Sequence, residues 1–215
     1  MDAAVALAKN AARTRYSDIP VEAVEATKKD IIDTLGTTMA GSAAAGGREI
    51  AELMRESGCG GKSTILVYGG KVCAENAAMA NGSMGHALDY DDTHDAAILH
   101  VGVTTVPAAF AIAEQIGRVN GRDFITAVTL GIDVICRLGL ANKEGPAEPG
   151  GWILTPLYGY FGAAIAAGKL LGLDEVGLIN AMGIAYSQTA GNHRCIDDGA
   201  LTKRMQAGFA AKGGV

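Results

Sequence analysis

Within residues 81–100 stand four carboxylates (Asp89, Asp91, Asp92, Asp95), three of the four histidines (His86, His94, His100) and Thr93. The flanking sequence is mostly alanine, glycine and aliphatic residues. Such a cluster is costly to bury and poor for packing, so chemistry is the first reading to weigh. A histidine titrates near pH ~6.5 and takes or returns a proton at neutral pH. A neighbouring aspartate orients it, raises its basicity or acts as a second acid or base. If residues 89–95 are extended, Asp89, Asp91, Thr93 and Asp95 share one side and Tyr90, Asp92 and His94 the other. Two rival readings use the same residues. One is a solvated loop whose Asp and Thr side chains cap neighbouring helices. The other is a metal site built from His86, Asp89, Asp91 and His94. Their order fits neither an EF-hand loop nor H-E-x-x-H, and no cysteine joins them. No metal is therefore expected.

A basic spot lies far along the chain. His193-Arg194 and Lys203-Arg204 flank residues 196–199. Lys203 and Arg204 suit a substrate carboxylate, and a helix starting near Leu201 would add N–H donors. Taken alone, this is ordinary surface charge on a solvated loop. Together with the histidine–aspartate cluster it suits proton abstraction next to a carboxylate.

The elements that must hold these groups are helices. Hydrophobic residues make up 49% of the chain and aromatics only 5%, a balance that favours closely packed helices over a β-sandwich. A first helix is expected over 2–15. A second begins in the turn after Pro20, with Val24, Ile31 and Leu35 on one face and Glu25 paired to Lys29. A third covers about 48–57, after a break at 41–47. Residues 56–63 end like a phosphate-binding loop, but Glu56 stands at the first required glycine. A helix precedes the segment and a strand follows, so a plain turn is expected. A strand over 65–68 and Gly69-Gly70 then suggest a hairpin into 71–73. Further helices follow over about 74–84, through Val106 and Phe110 to near Gly117, and after Asn120-Gly121 along the stripe Phe124, Val128, Ile132, Ile135 and Leu138. A loop over 141–151 separates these from a small-residue helix around 162–167. The next helix is capped by Asp174 and runs to about Thr189. Residues 191–199 form a polar loop, and the last helix starts near Leu201.

Net charge is −5, and no basic block or basic–aromatic stripe is present, so no nucleic-acid partner is expected. The longest apolar runs, broken by Glu114 or Lys169, read as too short to span a membrane. Cys59, Cys73, Cys136 and Cys195 show no C-x-x-C spacing and read as reduced thiols in a cytoplasmic protein. The first residues lack the basic start and apolar run of a signal peptide. The chain stops at Val215 inside what reads as a continuing helix, which suggests a truncation or fragment.

At Asn81-Gly82 and through His86-Ala87-Leu88-Asp89-Tyr90-Asp91-Asp92-Thr93-His94, the sequence resembles the signature of the MmgE/PrpD family. The likeness continues through Val106-Pro107-Ala108-Ala109, Gly131-Ile132-Asp133-Val134, Gly159-Tyr160-Phe161-Gly162, Lys169-Leu170-Leu171-Gly172-Leu173, Asn180-Ala181-Met182-Gly183 and Lys203-Arg204-Met205-Gln206. The resemblance implies one all-α domain over 1–215, a compact multi-helix unit with one small β-hairpin. In the family a smaller α+β lid domain normally completes it, and residues 1–215 are expected to lack that lid. It further implies a homodimer and cofactor-independent lyase or isomerase chemistry on small di- or tricarboxylates. By motif, Asp89, Thr93, His100 (allowing one extra loop residue) and Lys203 match the family's catalytic positions. His86, His94 and Arg204 are expected to contact substrate. The implied chemistry is of the 2-methylcitrate dehydratase kind. An iminodisuccinate-type epimerase and a non-catalytic, truncated helical oligomerisation domain are the alternatives. One departure bears on this: decarboxylase and dehydratase members carry a histidine after the Gly-aromatic pair that here is Gly151-Trp152, where this chain has Ile153.

Overall fold

The computed structural model describes residues 2–142 and 151–215. Most of the loop read over 141–151, residues 143–150, thus lies outside the described residues. The elements in chain order are α1 (Ala3–Arg13), α2 (Val21–Gly41), α3 (Gly47–Glu56), β1 (Ser63–Thr64), β2 (Lys71–Val72), α4 (Ala74–Gly85), α5 (Gly102–Ile116) and α6 (Gly121–Ala141). These are followed by α7 (Leu154–Leu170), α8 (Glu175–Gln188), the short α9 (Arg194–Asp197) and α10 (Thr202–Gly214). The fold is all-α with one two-stranded antiparallel hairpin, Ser63 opposite Val72.

Local chemistry starts several of these helices. Asp2 accepts from the Ala4 N–H at α1, Asn120 from Arg122 and Asp123 at α6, and Asp174 from Gly177 at α8. Each satisfies N–H groups that a helix start leaves orphaned. The end of α1 is held from outside: Lys169 Nζ donates to the carbonyls of Ala11, Ala12 and Thr14 at 2.8–2.9 Å.

Helix α4 is the centre. Every residue of it but Glu75 is buried, under α10, α5, α2 and α3. α7 is the second central rod, between α6, α10, α5 and α8. Helices that bury all sides need neighbours close on every side, and small residues allow it. A Cβ on Gly131 would meet the Gly162 carbonyl at 2.6 Å, and one on Gly208 would meet the Met79 carbonyl at 2.5 Å. The core is therefore held by many near-backbone contacts rather than a few large side chains.

Several local expectations are corrected. The buried face of α2 is mostly threonine (Thr27, Thr34, Thr37 and Thr38 beside Val24), while Ile31 and Leu35 are only half-buried. Glu25 pairs with Lys28 rather than Lys29. The first strand is 63–64, not 65–68. Ile65 plugs the core with no exposure, and the chain turns at Val67, whose φ is 67°. Asn81 on α4 braces this hairpin, accepting from the Leu66 N–H and donating to the Thr64 carbonyl, both at 2.9 Å. The four cysteines are not all free. Cys59 and Cys73, Cα atoms 5.4 Å apart, form a disulfide, because the 58–61 turn folds back along the end of β2; Cys136 and Cys195 are free thiols. Among the described residues one helix, α6, does have the length and composition to cross a membrane, with 44% of its apolar window buried; its Leu130, Val134 and Ile135 are core residues here.

Candidate active site

Helix α4 ends at Gly85, and the polar cluster follows at once. The chain leaves the helix through Asp89 in a left-handed conformation, φ 54°, and Ile98 repeats that geometry at φ 52°. Aspartate tolerates this region better than most residues. The result is a wound loop and not the extended strand supposed for 89–95. The expected alternation is lost: Asp91 is fully buried, Asp92 is largely buried, and Asp89 and Tyr90 face outward.

Asp91 is the pivot. Its carboxylate oxygens lie 3.0 and 3.1 Å from His86 Nδ1, and one lies 3.4 Å from His100 Nδ1. The two imidazoles meet edge to face, centroids 4.9 Å apart. His100 Nδ1 also reaches the Asp92 carbonyl at 2.9 Å. Carboxylates and carbonyls only accept, so the Nδ1 atoms of both rings carry hydrogen, which fixes the rings with Nε2 turned away from Asp91. Those Nε2 atoms converge on Asp89 Oδ1, at 3.9 Å from His86 and 3.8 Å from His100. The Lys203 ammonium, from the first turn of α10, bonds the same oxygen. Burial pushes the Asp89 carboxyl up, but the Lys203 ammonium, His86 and His100 together outweigh it and hold the group below the usual carboxylate range.

His86, Asp89 and Lys203 line a cleft of about 330 Å³ with Cys195, Gly199 and Arg204. His100 stands behind Asp89. Its own N–H donates at 2.9 Å to the buried Thr155 Oγ1 at the start of α7, which fixes the loop against the central rod.

Asp92 does what the capping reading expected. Its carboxylate accepts from Val101 and Gly102 at 3.0 Å and so caps α5. Its own N–H donates to Asp33. Burial, then the charges of Asp92 and Asp33, push the nearby Asp30 carboxyl up to about 6. The folded state thus holds this proton more tightly than the unfolded chain, whose value is about 4. The sign follows: stability falls as pH rises from about 4 to about 6 and levels off above. Asp30→Asn is expected to remove that fall and to stabilise the domain at neutral pH by about 1 kcal/mol, discounted for the exposed part of the group. Urea midpoints of both proteins at about pH 4.5 and about 7.5 test it.

The structure thus brings together His86, Asp89, His100 and Lys203. Thr93 and His94 stand apart from them. Thr93 is exposed and its hydroxyl reaches only the Asp91 carbonyl, at 3.5 Å. His94 accepts from the Ala97 N–H within the loop's own turn. Among the described residues, neither bonds to the converged group. Arg204 lines the cleft but gives one N–H to the Ala45 carbonyl at 2.8 Å. Two positioning residues escaped sequence reasoning. Asp91 reads from the sequence as a candidate metal ligand or as one carboxylate on the Asp89 side of an extended segment, and its place between two histidines depends on a loop conformation that no spacing signals. Thr155 carries no sequence signal at all.

A family model described as the MmgE/PrpD N-terminal domain matches residues 5–215. The chain is similar to the cis-aconitate decarboxylase-like protein oryM of Aspergillus oryzae, 32% identical over 205 residues, covering 93% of this chain and 42% of that one. It is also similar to the cis-aconitate decarboxylase of Aspergillus terreus, 32% over 202 residues (92% and 41%), and to that of Mus musculus, 29% over 196 residues (89% and 40%). The chain spans less than half the length of these relatives.

Proposed function

The chain belongs to the MmgE/PrpD family, and from that premise we propose that this domain carries the acid–base half of a cofactor-independent lyase or isomerase acting on a small di- or tricarboxylate. The observation that carries the reading is the convergence of two imidazole Nε2 atoms and the Lys203 ammonium on Asp89 Oδ1 at the edge of one cleft.

In this reading His100 Nε2 takes a proton from the carbon next to a substrate carboxylate. Its Nδ1 hydrogen stays on the Asp92 carbonyl, which keeps the ring aimed and supports the imidazolium as it forms. Negative charge builds on the substrate carboxylate. Lys203 turns from Asp89 to that oxygen and stabilises it, with the remaining N–H groups of Arg204 beside it. Asp89 then stands free to accept or return a second proton. Loss of hydroxide completes a dehydration; return of a proton on the other face completes an epimerisation.

A second reading, carboxy-lyase, is supported by the names of the relatives, which are cis-aconitate decarboxylases. Against it, and equally against dehydration, Ile153 stands where the family resemblance expects a histidine in both decarboxylases and dehydratases, which leaves one proton carrier fewer. Its backbone N–H donates to the Gly191 carbonyl at 2.6 Å. Release of CO2 from cis-aconitate by the intact protein, with no exchange of substrate protons, would favour this second reading.

The intact protein incubated in D2O with citrate-like acids tests the first step. Deuterium is expected at the carbon next to a carboxylate. Lys203→Ala is expected to slow that exchange about 10²–10³-fold, the usual cost of a lost charge-stabilising donor. Exchange within a few-fold of wild type would remove Lys203 from the mechanism. Failure to bind any such acid in equilibrium dialysis would favour a non-catalytic helical domain instead.

A further inference from the structure

The same triangle of donor atoms has the properties of a metal site. His86 Nε2, His100 Nε2 and Asp89 Oδ all lie within 4.8 Å of one another. Both histidines hold their Nδ1 hydrogen on a second-layer acceptor, His86 on the Asp91 carboxylate and His100 on the Asp92 carbonyl. That is the arrangement that fixes tautomer and ring orientation in protein metal sites. A tetrahedral ion with bonds of about 2.0–2.1 Å needs donors about 3.4 Å apart. Asp89 Oδ1 stands 3.9 and 3.8 Å from the two Nε2 atoms, and the whole triangle lies within 4.8 Å, so a bound ion draws its donors inward. The Asp89 side chain, 56% exposed, has room to move toward the rings. A cation is already drawn to this oxygen, in the form of the Lys203 ammonium. The sequence offers His86, Asp89, Asp91 and His94 in an order that fits no metal motif; the loop brings His100 in place of His94 and turns Asp91 to the outer layer.

We propose that His86, Asp89 and His100 form a binding site for a borderline divalent ion of the zinc or cobalt class, occupied in competition with Lys203. Two imidazoles and one carboxylate select such ions over magnesium or calcium, which prefer all-oxygen sites. The fourth position faces the cleft and takes water. Binding itself is independent of the proposed reaction. Its consequence, inhibition, rests on that reading: an ion on both Nε2 lone pairs leaves neither free to take a proton.

Cobalt(II) titration of the chain, followed by visible absorption, tests the site. One equivalent of Co2+ is expected to give a tetrahedral d–d band that zinc abolishes. His86→Ala and His100→Ala should each weaken binding at least about tenfold. Lys203→Met should tighten it by freeing Asp89. Circular dichroism checks folding, and His100→Ala, at the more open ring, serves if the buried His86 variant misfolds. A chain that binds no Co2+ overturns the proposal. So does a band that survives both histidine variants but vanishes in Cys59→Ser/Cys73→Ser, since Cys59, Cys73 and Glu75 form the other candidate donor group among the described residues once the Cys59–Cys73 disulfide is reduced. In the intact protein, zinc should inhibit and a chelator should restore turnover. Stoichiometric binding without inhibition would keep the site but overturn its inhibitory role and the catalytic role of the histidines.

Discussion

His100→Ala in the intact protein is expected to lower turnover by about 10²–10⁴-fold, the usual contribution of a positioned general base, while the fold survives. The ring is partly exposed, so water can enter the space it leaves. The loss should fall on kcat, since in the proposed reaction the imidazole acts on the reacting carbon and not on the substrate's carboxylates. Asp91→Asn supplies the companion measurement. It leaves an acceptor for one Nδ1 hydrogen but removes the charge shared by His86 and His100. Both rings should therefore lose part of their fixed aim, and kcat should fall with KM little changed. Full activity in both Asp91→Asn and His100→Ala would mean the base lies elsewhere, with His86 or outside this domain.

Gly208→Ala is expected to destabilise the domain by about 1–3 kcal/mol, the range for forcing extra volume into a packed core. It should also detach Lys203 from Asp89. A Cβ at 208 would stand 2.2 Å from Ser83 Oγ and 2.5 Å from the Met79 carbonyl. The hydroxyl could rotate, but the carbonyl belongs to the buried backbone of α4. Helix α10 must therefore withdraw, and Lys203 withdraws with it. At this chain length each kcal/mol lowers Tm by about 2–4 °C. Differential scanning calorimetry measures the first effect, and the deuterium-exchange rate measures the second. Gly183→Ala is the control, since a Cβ there meets nothing within 4 Å. Equal melting of both variants would refute the close seating of α10 on α4 as the support of the site.

Much of the architecture was legible because its causes are local. Asp174 and Asn120 cap where a polar side chain precedes an apolar stripe, and the stripe over 124–138 has the helical period. The concentration of histidine and aspartate in 86–100, and its likeness to a family signature, were equally open to reading along the chain. The hairpin was recognised but shifted by two residues, since only the core decides that Ile65 is a plug and not a strand residue. Three features are matters of tertiary structure alone. The left-handed turns at Asp89 and Ile98 wind the loop so that Asp91 faces two histidines instead of sharing a side with Asp89. The disulfide joins cysteines whose spacing carries no motif. Lys203 meets Asp89 across 114 positions of chain. That last meeting exists because glycine at 208 lets α10 lie against the backbone of α4. Side-chain types and periods determine which residues can do acid–base chemistry and which segments are helices. Which of those residues face one another is decided by how closely the helices can approach, and no local pattern encodes that distance.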